Sequence, residues 1–83
     1  MRVRIITSKK ELYEGEAKQV VLPGRDEEFS ILDFHQPFLY RLQRGYVKIS
    51  GVGTKPSQSG QSFFIKDGIA KMLNNNLTVL AEA

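Results

Sequence analysis

The chain contains no cysteine, which removes disulfide staples, thiolate zinc sites and cysteine nucleophiles together. That usage fits a reducing compartment. A single histidine, His35, cannot build a zinc site without a second nitrogen or sulfur ligand. No apolar run approaches the ~20 residues needed to cross a bilayer. The opening "MRVRIIT" alternates polar and apolar residues and lacks the long apolar region of a signal peptide. Neither a phosphate-binding P-loop nor Gly-x-Gly-x-x-Gly occurs, so a dedicated nucleotide site has no support. With 83 residues, the chain is expected to form one domain with a modest core and little room for a deep substrate cavity. A binding or structural role therefore starts ahead of an enzymatic one.

Hydrophobic residues make up 41% and charged residues 25%, ordinary values for a globular domain. The formal charge of +3 is too mild to imply nucleic-acid binding by itself. Its distribution is uneven. Acids and bases nearly cancel up to Asp33, whereas Arg41, Arg44, Lys48, Lys55, Lys66 and Lys71 then face only Asp67 and Glu82.

Short runs of β-branched and aromatic residues recur between Gly, Pro and Asn, the spacing of a sandwich or barrel. The first strand points Val3 and Ile5 one way and Arg2 and Arg4 the other. A second extended piece covers 12–17, where Gly15 suggests a bulge or a close backbone approach. A third, 18–22, is stopped by Pro23-Gly24. Residues 29–32 are apolar enough to be buried. Pro37 belongs at a strand start or edge, ahead of 38–42. Gly45 turns the chain into 46–49, with Val47 and Ile49 inward. "GVGTKPSQSGQS", 51–62, reads as a variable hairpin loop. Phe63-Phe64-Ile65 returns as a strand and Lys66-Asp67-Gly68 turns. Residues 69–73 pair through an asparagine triplet with 77–81, because Asn tolerates positive φ in a tight hairpin. The expected fold is all-β, a small antiparallel β-sandwich of about eight to ten short strands.

Three groups carry chemistry. Asp33 and His35 share a face if extended and would suit a general base, but no activated nucleophile accompanies them. Asp26, Glu27 and Glu28 lack the alternation and fixed glycine of a calcium loop. They read as a solvated turn or a contact with a basic partner. Adjacent Phe63 and Phe64 cannot both face the core. An outward aromatic beside Lys48, Lys66 and Lys71 would stack on single-stranded nucleic acid, or be covered by a partner subunit.

Read as one string, "VLPGRDEEFSILDFHQPFLYRLQRGYVKI", 21–49, resembles the N-terminal β-sandwich domain of the epsilon subunit of F-type ATP synthases. Leu22, Pro23, Gly24, Glu28, Phe29, Ile31, Leu32, His35, Pro37, Leu42, Gly45, Val47 and Ile49 fall into that family's register without a gap. "RIITSKKELYEGEAKQVVLPG" and "FFIKDGIAKMLNNNLTVLAEA" are similar to its opening and closing segments. Glu27, Ser30, Asp33, Phe34 and Arg44 depart from it, standing where the family usually has Gly, Gly, Pro, Gly and Pro, and Asp67 replaces the first of a Gly-Gly pair. Members usually continue past the point matching Ala83 into a hairpin of two helices that can inhibit ATP hydrolysis and in some members binds ATP. The expectation here is a single domain, 1–83, in a short form without that hairpin, to which neither property carries over.

The resemblance implies a non-catalytic subunit of the central stalk. Its partners would be the gamma subunit and the c-ring, coupling ion-driven rotation to ATP synthesis. It implies no cofactor, no metal, no nucleic acid and no direct membrane insertion, at the cytoplasmic face of a bacterial inner membrane. Glu28 and His35, with Arg25, Asp26 and Glu27, match the positions that face the ring. Tyr40, Leu42, Phe63 and Phe64 are the candidates for the gamma side. The alternative is a small basic β-barrel or sandwich that binds single-stranded nucleic acid through Lys48, Lys66 and Lys71.

Overall fold

A computed structural model of the chain describes residues 1–51 and 60–83. Among them lie nine strands and no helix: β1 (Arg2–Ile6), β2 (Glu11–Glu16), β3 (Gln19–Pro23), β4 (Glu28–Leu32), β5 (Phe38–Leu42), β6 (Gly45–Ser50), β7 (Gln61–Ile65), β8 (Asp67–Leu73) and β9 (Asn76–Glu82). They form a five-stranded sheet, β2-β1-β9-β8-β5, and a four-stranded sheet, β4-β3-β6-β7. The all-β sandwich is as expected, with one exception to its antiparallel pairing. β1 runs parallel to β9, Val3 opposite Leu77 and Ile5 opposite Val79. Alternation in β1 looks the same beside either kind of neighbour, so the sequence carries no sign of that direction.

The two inner faces enclose the core. Val3, Ile5, Leu42, Ala70, Met72, Leu77 and Val79 come from the larger sheet, and Val20, Leu22, Ile31, Val47, Ile49 and Ile65 from the smaller. Each sits at alternate positions of its strand, as a period of two requires. No polar or charged residue is buried among the described residues, so core stability rests on apolar burial of roughly 1.5–3 kcal/mol per large side chain.

Several local expectations shift. Residues 29–32 are not wholly buried: Ile31 is, Phe29 is partly so, and Ser30 and Leu32 point outward along β4. Gly15 makes no bulge. It pairs regularly with Val3, and the irregularity lies between Ile5 and Ile6. A Cβ on Gly15 would instead stand 3.0 Å from the Tyr13 hydroxyl, because that ring folds back over the glycine. Asp67 and Gly68 belong to β8, leaving Lys66 to carry the chain from one sheet to the other. β6 and β7 pair as a hairpin. Most of the expected 51–62 loop, 52–59, lies outside the described residues, while Gln61 and Ser62 already belong to β7.

Aromatic rings close both open sides of the sandwich. Tyr13 of β2 meets Phe63 of β7 with ring centroids 5.9 Å apart. On the other side Phe29 of β4 meets Tyr40 of β5 edge-to-face at 5.2 Å. Tyr40 stacks on Phe38 at 4.7 Å, and Phe38 receives the His35 ring at 5.3 Å. Such pairs add ~0.5–1.5 kcal/mol beyond their area, and they fix how the β4–β5 edge is presented.

Candidate functional site

Two surfaces stand out. The first is a shallow groove along the β4–β5 edge, lined by Arg25, Asp26, Glu27, Phe29, His35 and Tyr40. The turn at its head is closed by the Gly24 amide donating to the Glu27 carbonyl at 3.1 Å. A Cβ on Gly24 would approach that carbonyl to 2.6 Å and the Phe29 ring to 2.9 Å. This turn therefore needs a glycine, and it presents three exposed charged side chains in sequence. His35 sits beyond the far end of β4, its ring Nδ1 2.9 Å from the Gln36 carbonyl. A five-residue strand is roughly 17 Å long, so the turn and the histidine flank the edge instead of meeting at a point.

Glu28 does not join them. It lies on the outer face of the smaller sheet, where its carboxylate meets the Lys48 ammonium at 3.0 Å. Asp33 is also withdrawn from His35. Its carboxylate accepts from the Met1 amino group, which donates as well to the Ala17 carbonyl at 2.8 Å. The general-base pairing expected from an extended 33–35 segment is absent because the backbone turns left-handed between them, at Phe34 with φ 63°. No cluster of three or more His, Asp or Glu side chains able to hold a metal occurs among the described residues.

The second surface is the outer face of the larger sheet, and it has two halves. Over β1 and β2, Arg2 and Arg4 pair with Glu14 and Glu11 at 3.5 and 3.0 Å. These exposed bridges contribute little each, but they leave that half charge-balanced. Over β9, β8 and β5 the face mixes aliphatic side chains with Thr78, Lys71, Arg41 and Asp67, the last two paired at 3.4 Å. Leu80 lies opposite Ile69 and beside Ile6 in the adjoining strands, while Leu39 and Leu73 form a second aliphatic group, set off from the first by Lys71 and Thr78. Leu39, Ile69, Leu73 and Leu80 are all exposed by 46% or more, a grouping that isolated surface leucines do not produce.

The proposed gamma-side residues are dispersed. Leu42 is completely enclosed in the core, so it cannot be a contact side chain. An apolar residue at an inward position of an edge strand looks the same in sequence as an outward one. Phe63 faces in and is partly buried, Tyr40 belongs to the edge groove, and Phe64 pairs with Tyr46 on the outer face of the smaller sheet, rings 5.3 Å apart. The basic platform is dispersed as well. Lys48 and Lys71 lie on opposite faces of the sandwich, and Lys66 lies at the crossing between sheets.

The aliphatic patch escaped sequence reasoning although a signal exists. "IAKML" and "LTVLA" place apolar residues at outward as well as inward positions, which a strand facing water on one side does not need.

The domain is thus a two-sheet sandwich with aliphatic side chains exposed on one outer face and charged residues along one edge. Residues 1–83 match the family described as ATP synthase, Delta/Epsilon chain, beta-sandwich domain, and the chain belongs to that family. It is 36% identical over 83 residues to an ATP synthase epsilon chain from Herminiimonas arsenicoxydans and 33% identical over 82 residues to one from Bordetella parapertussis, covering 99% of this chain in each case. The chain spans 56% of the length of those relatives. Its fold matches, with a TM-score of 0.78 and 21% identity, a chain in the cryo-EM structure of the Tetrahymena thermophila mitochondrial ATP synthase central stalk/c-ring, over 100% of this chain and 63% of that one.

Proposed function

We propose that the domain is a non-catalytic part of an F-type ATP synthase rotor, joining the gamma subunit to the c-ring at the cytoplasmic face of a bacterial membrane. Family membership and the central-stalk neighbour support the assembly. The observation that carries the connector role is the separation of two unlike surfaces on one small sandwich. Transmitting torque requires an interface that does not slip, and apolar area supplies that better than exposed charge, whose pairs contribute ~0–1 kcal/mol. The outer face of β9, β8 and β5, with Leu80, Ile69, Leu39 and Leu73 among its polar side chains, therefore meets gamma, through an interface on the order of 1,000 Å² or more. The β4–β5 edge, with Arg25, Asp26, Glu27 and His35, meets the polar loops of the ring. Glu28 lies beside that edge and is engaged with Lys48, so it contributes to the ring contact by tuning charge.

Leu80 is central to the aliphatic face and 55% exposed, which makes Leu80→Lys the test. The expected result is loss of binding to purified gamma by about tenfold or more, with stability changed by no more than ~0.5 kcal/mol in urea denaturation. Phe64→Ala, on the opposite face, leaves gamma binding unchanged. Equal gamma affinity for Leu80→Lys and the unaltered chain would remove this assignment.

A further inference from the structure

Phe34 is the most exposed large apolar residue described, at 81%, and its backbone is left-handed at φ 63°. That conformation is costly for an aromatic residue and free for glycine. No contact among the described residues compensates by burying the ring. The loop is nevertheless held tightly. The Asp33 amide donates to the Lys18 carbonyl at 3.2 Å, the Phe34 amide to Asn75 Oδ1 at 2.8 Å, and the His35 amide to the Leu32 carbonyl at 3.2 Å. Three successive amides are thus satisfied in a single backbone path, and the ring is projected from it.

Several exposed leucines lie near this end of the sandwich, among charged groups. Leu32 closes β4, Leu39 stands near the start of β5 and Leu73 closes β8. The antiparallel pairing of β5 with β8 brings Leu39 and Leu73 to one rim on the outer face of the larger sheet, whereas Leu32 points from the outer face of the smaller sheet. Leu32 and Leu39 are exposed by 57% and 68%, and a shallow hollow lined by Pro37, Leu39, Lys71 and Leu73 adjoins them. His35, the next residue, lines the edge groove, so Phe34 continues that contact surface.

We propose that Phe34 is a preformed anchor that inserts into an apolar notch between loops of the partner engaged by the β4–β5 edge. This rests on the rotor reading, in which that partner is the c-ring. A shaped protein receptor is favoured over a lipid surface on two grounds. A fixed φ and a fully capped loop lower the cost of fitting one defined cavity, whereas insertion among mobile acyl chains gains nothing from them. Glu16 and Asp33 also lie at this rim, paired with the Met1 amino group, and with Lys71 in the adjoining hollow the rim carries no net basic patch to attract an anionic membrane.

The experiment compares the unaltered chain with Phe34→Asn and Phe34→Gly, both of which accept a left-handed backbone. Binding is measured to the purified c-ring with its gamma stalk in detergent, and to ring-free phosphatidylglycerol/phosphatidylcholine vesicles. The expected result is a loss of rotor affinity of about tenfold or more for both variants. Denaturation midpoints should be equal to or above that of the unaltered chain, and no form should bind the vesicles. Rotor binding by the unaltered chain with undiminished binding by both variants overturns the anchor and leaves the rotor reading intact. Failure of the unaltered chain to bind the rotor overturns both. Vesicle binding that depends on Phe34 overturns the choice of a protein receptor, and a lowered midpoint in both variants makes the residue structural.

Discussion

Leu42 closes the edge of the larger sheet from inside, with none of its side chain exposed. Its truncation to alanine would leave a hole between β5, β8 and the smaller sheet that the aromatic groups along that edge are too constrained to fill. Leu42→Ala should therefore cost about 2–5 kcal/mol in urea denaturation, a large share of the stability available to a domain this small. Whether a leucine at this position faces in or out depends on a register the chain sets elsewhere. Leu39 and Leu42 stand three positions apart in one strand, and opposite parity makes one of them 68% exposed and the other buried. Val47 and Ile49, alternating with Tyr46 and Lys48, are legible because their polar neighbours declare the outer face. "FLYRL" carries one such marker, Arg41, too little to announce which of its apolar side chains is free.

The β8–β9 hairpin shows how much an element depends on two side chains. Asn74 and Asn75 have φ of 52° and 59°, the two positive values of a type I′ turn whose twist suits a two-residue connection. The triplet was readable in the sequence for that reason. What was not readable is the second use of Asn75, whose side-chain oxygen accepts the Phe34 amide from a residue 41 positions away. The same backbone conformation is open to glycine, so Asn75→Gly separates the two roles. Exchange protection should persist for β8 and β9 amides and fall about fivefold at Phe34, the loss of one hydrogen bond of about 1 kcal/mol. Equal protection at Phe34 in both forms would show that the loop holds itself without the hairpin.

At the scale of the whole molecule, alternation and turn chemistry were enough to predict a sandwich, since four of the seven strand pairings join strands that follow one another. The arrangement of surfaces was not predictable, because it depends on the parallel seating of β1 against β9 and on β5 joining β8 across the intervening sheet. Those pairings gather the aliphatic residues of three strands on one side and leave the acidic turn and His35 flanking the β4–β5 edge. The two contacts should then respond differently to salt. Between about 0.1 M and 1 M the screening length falls from ~10 Å to ~3 Å, which removes steering by exposed charges but leaves apolar burial intact. Association with the c-ring should slow as salt rises, and the dissociation rate from gamma should change little. In the double variant Asp26→Asn and Glu27→Gln, the ring association rate should be low at every salt concentration and nearly independent of it. Stopped-flow association with detergent-purified ring, at several salt concentrations, measures this directly. A double variant as salt-sensitive as the unaltered chain would place the steering charges elsewhere than the β3–β4 turn.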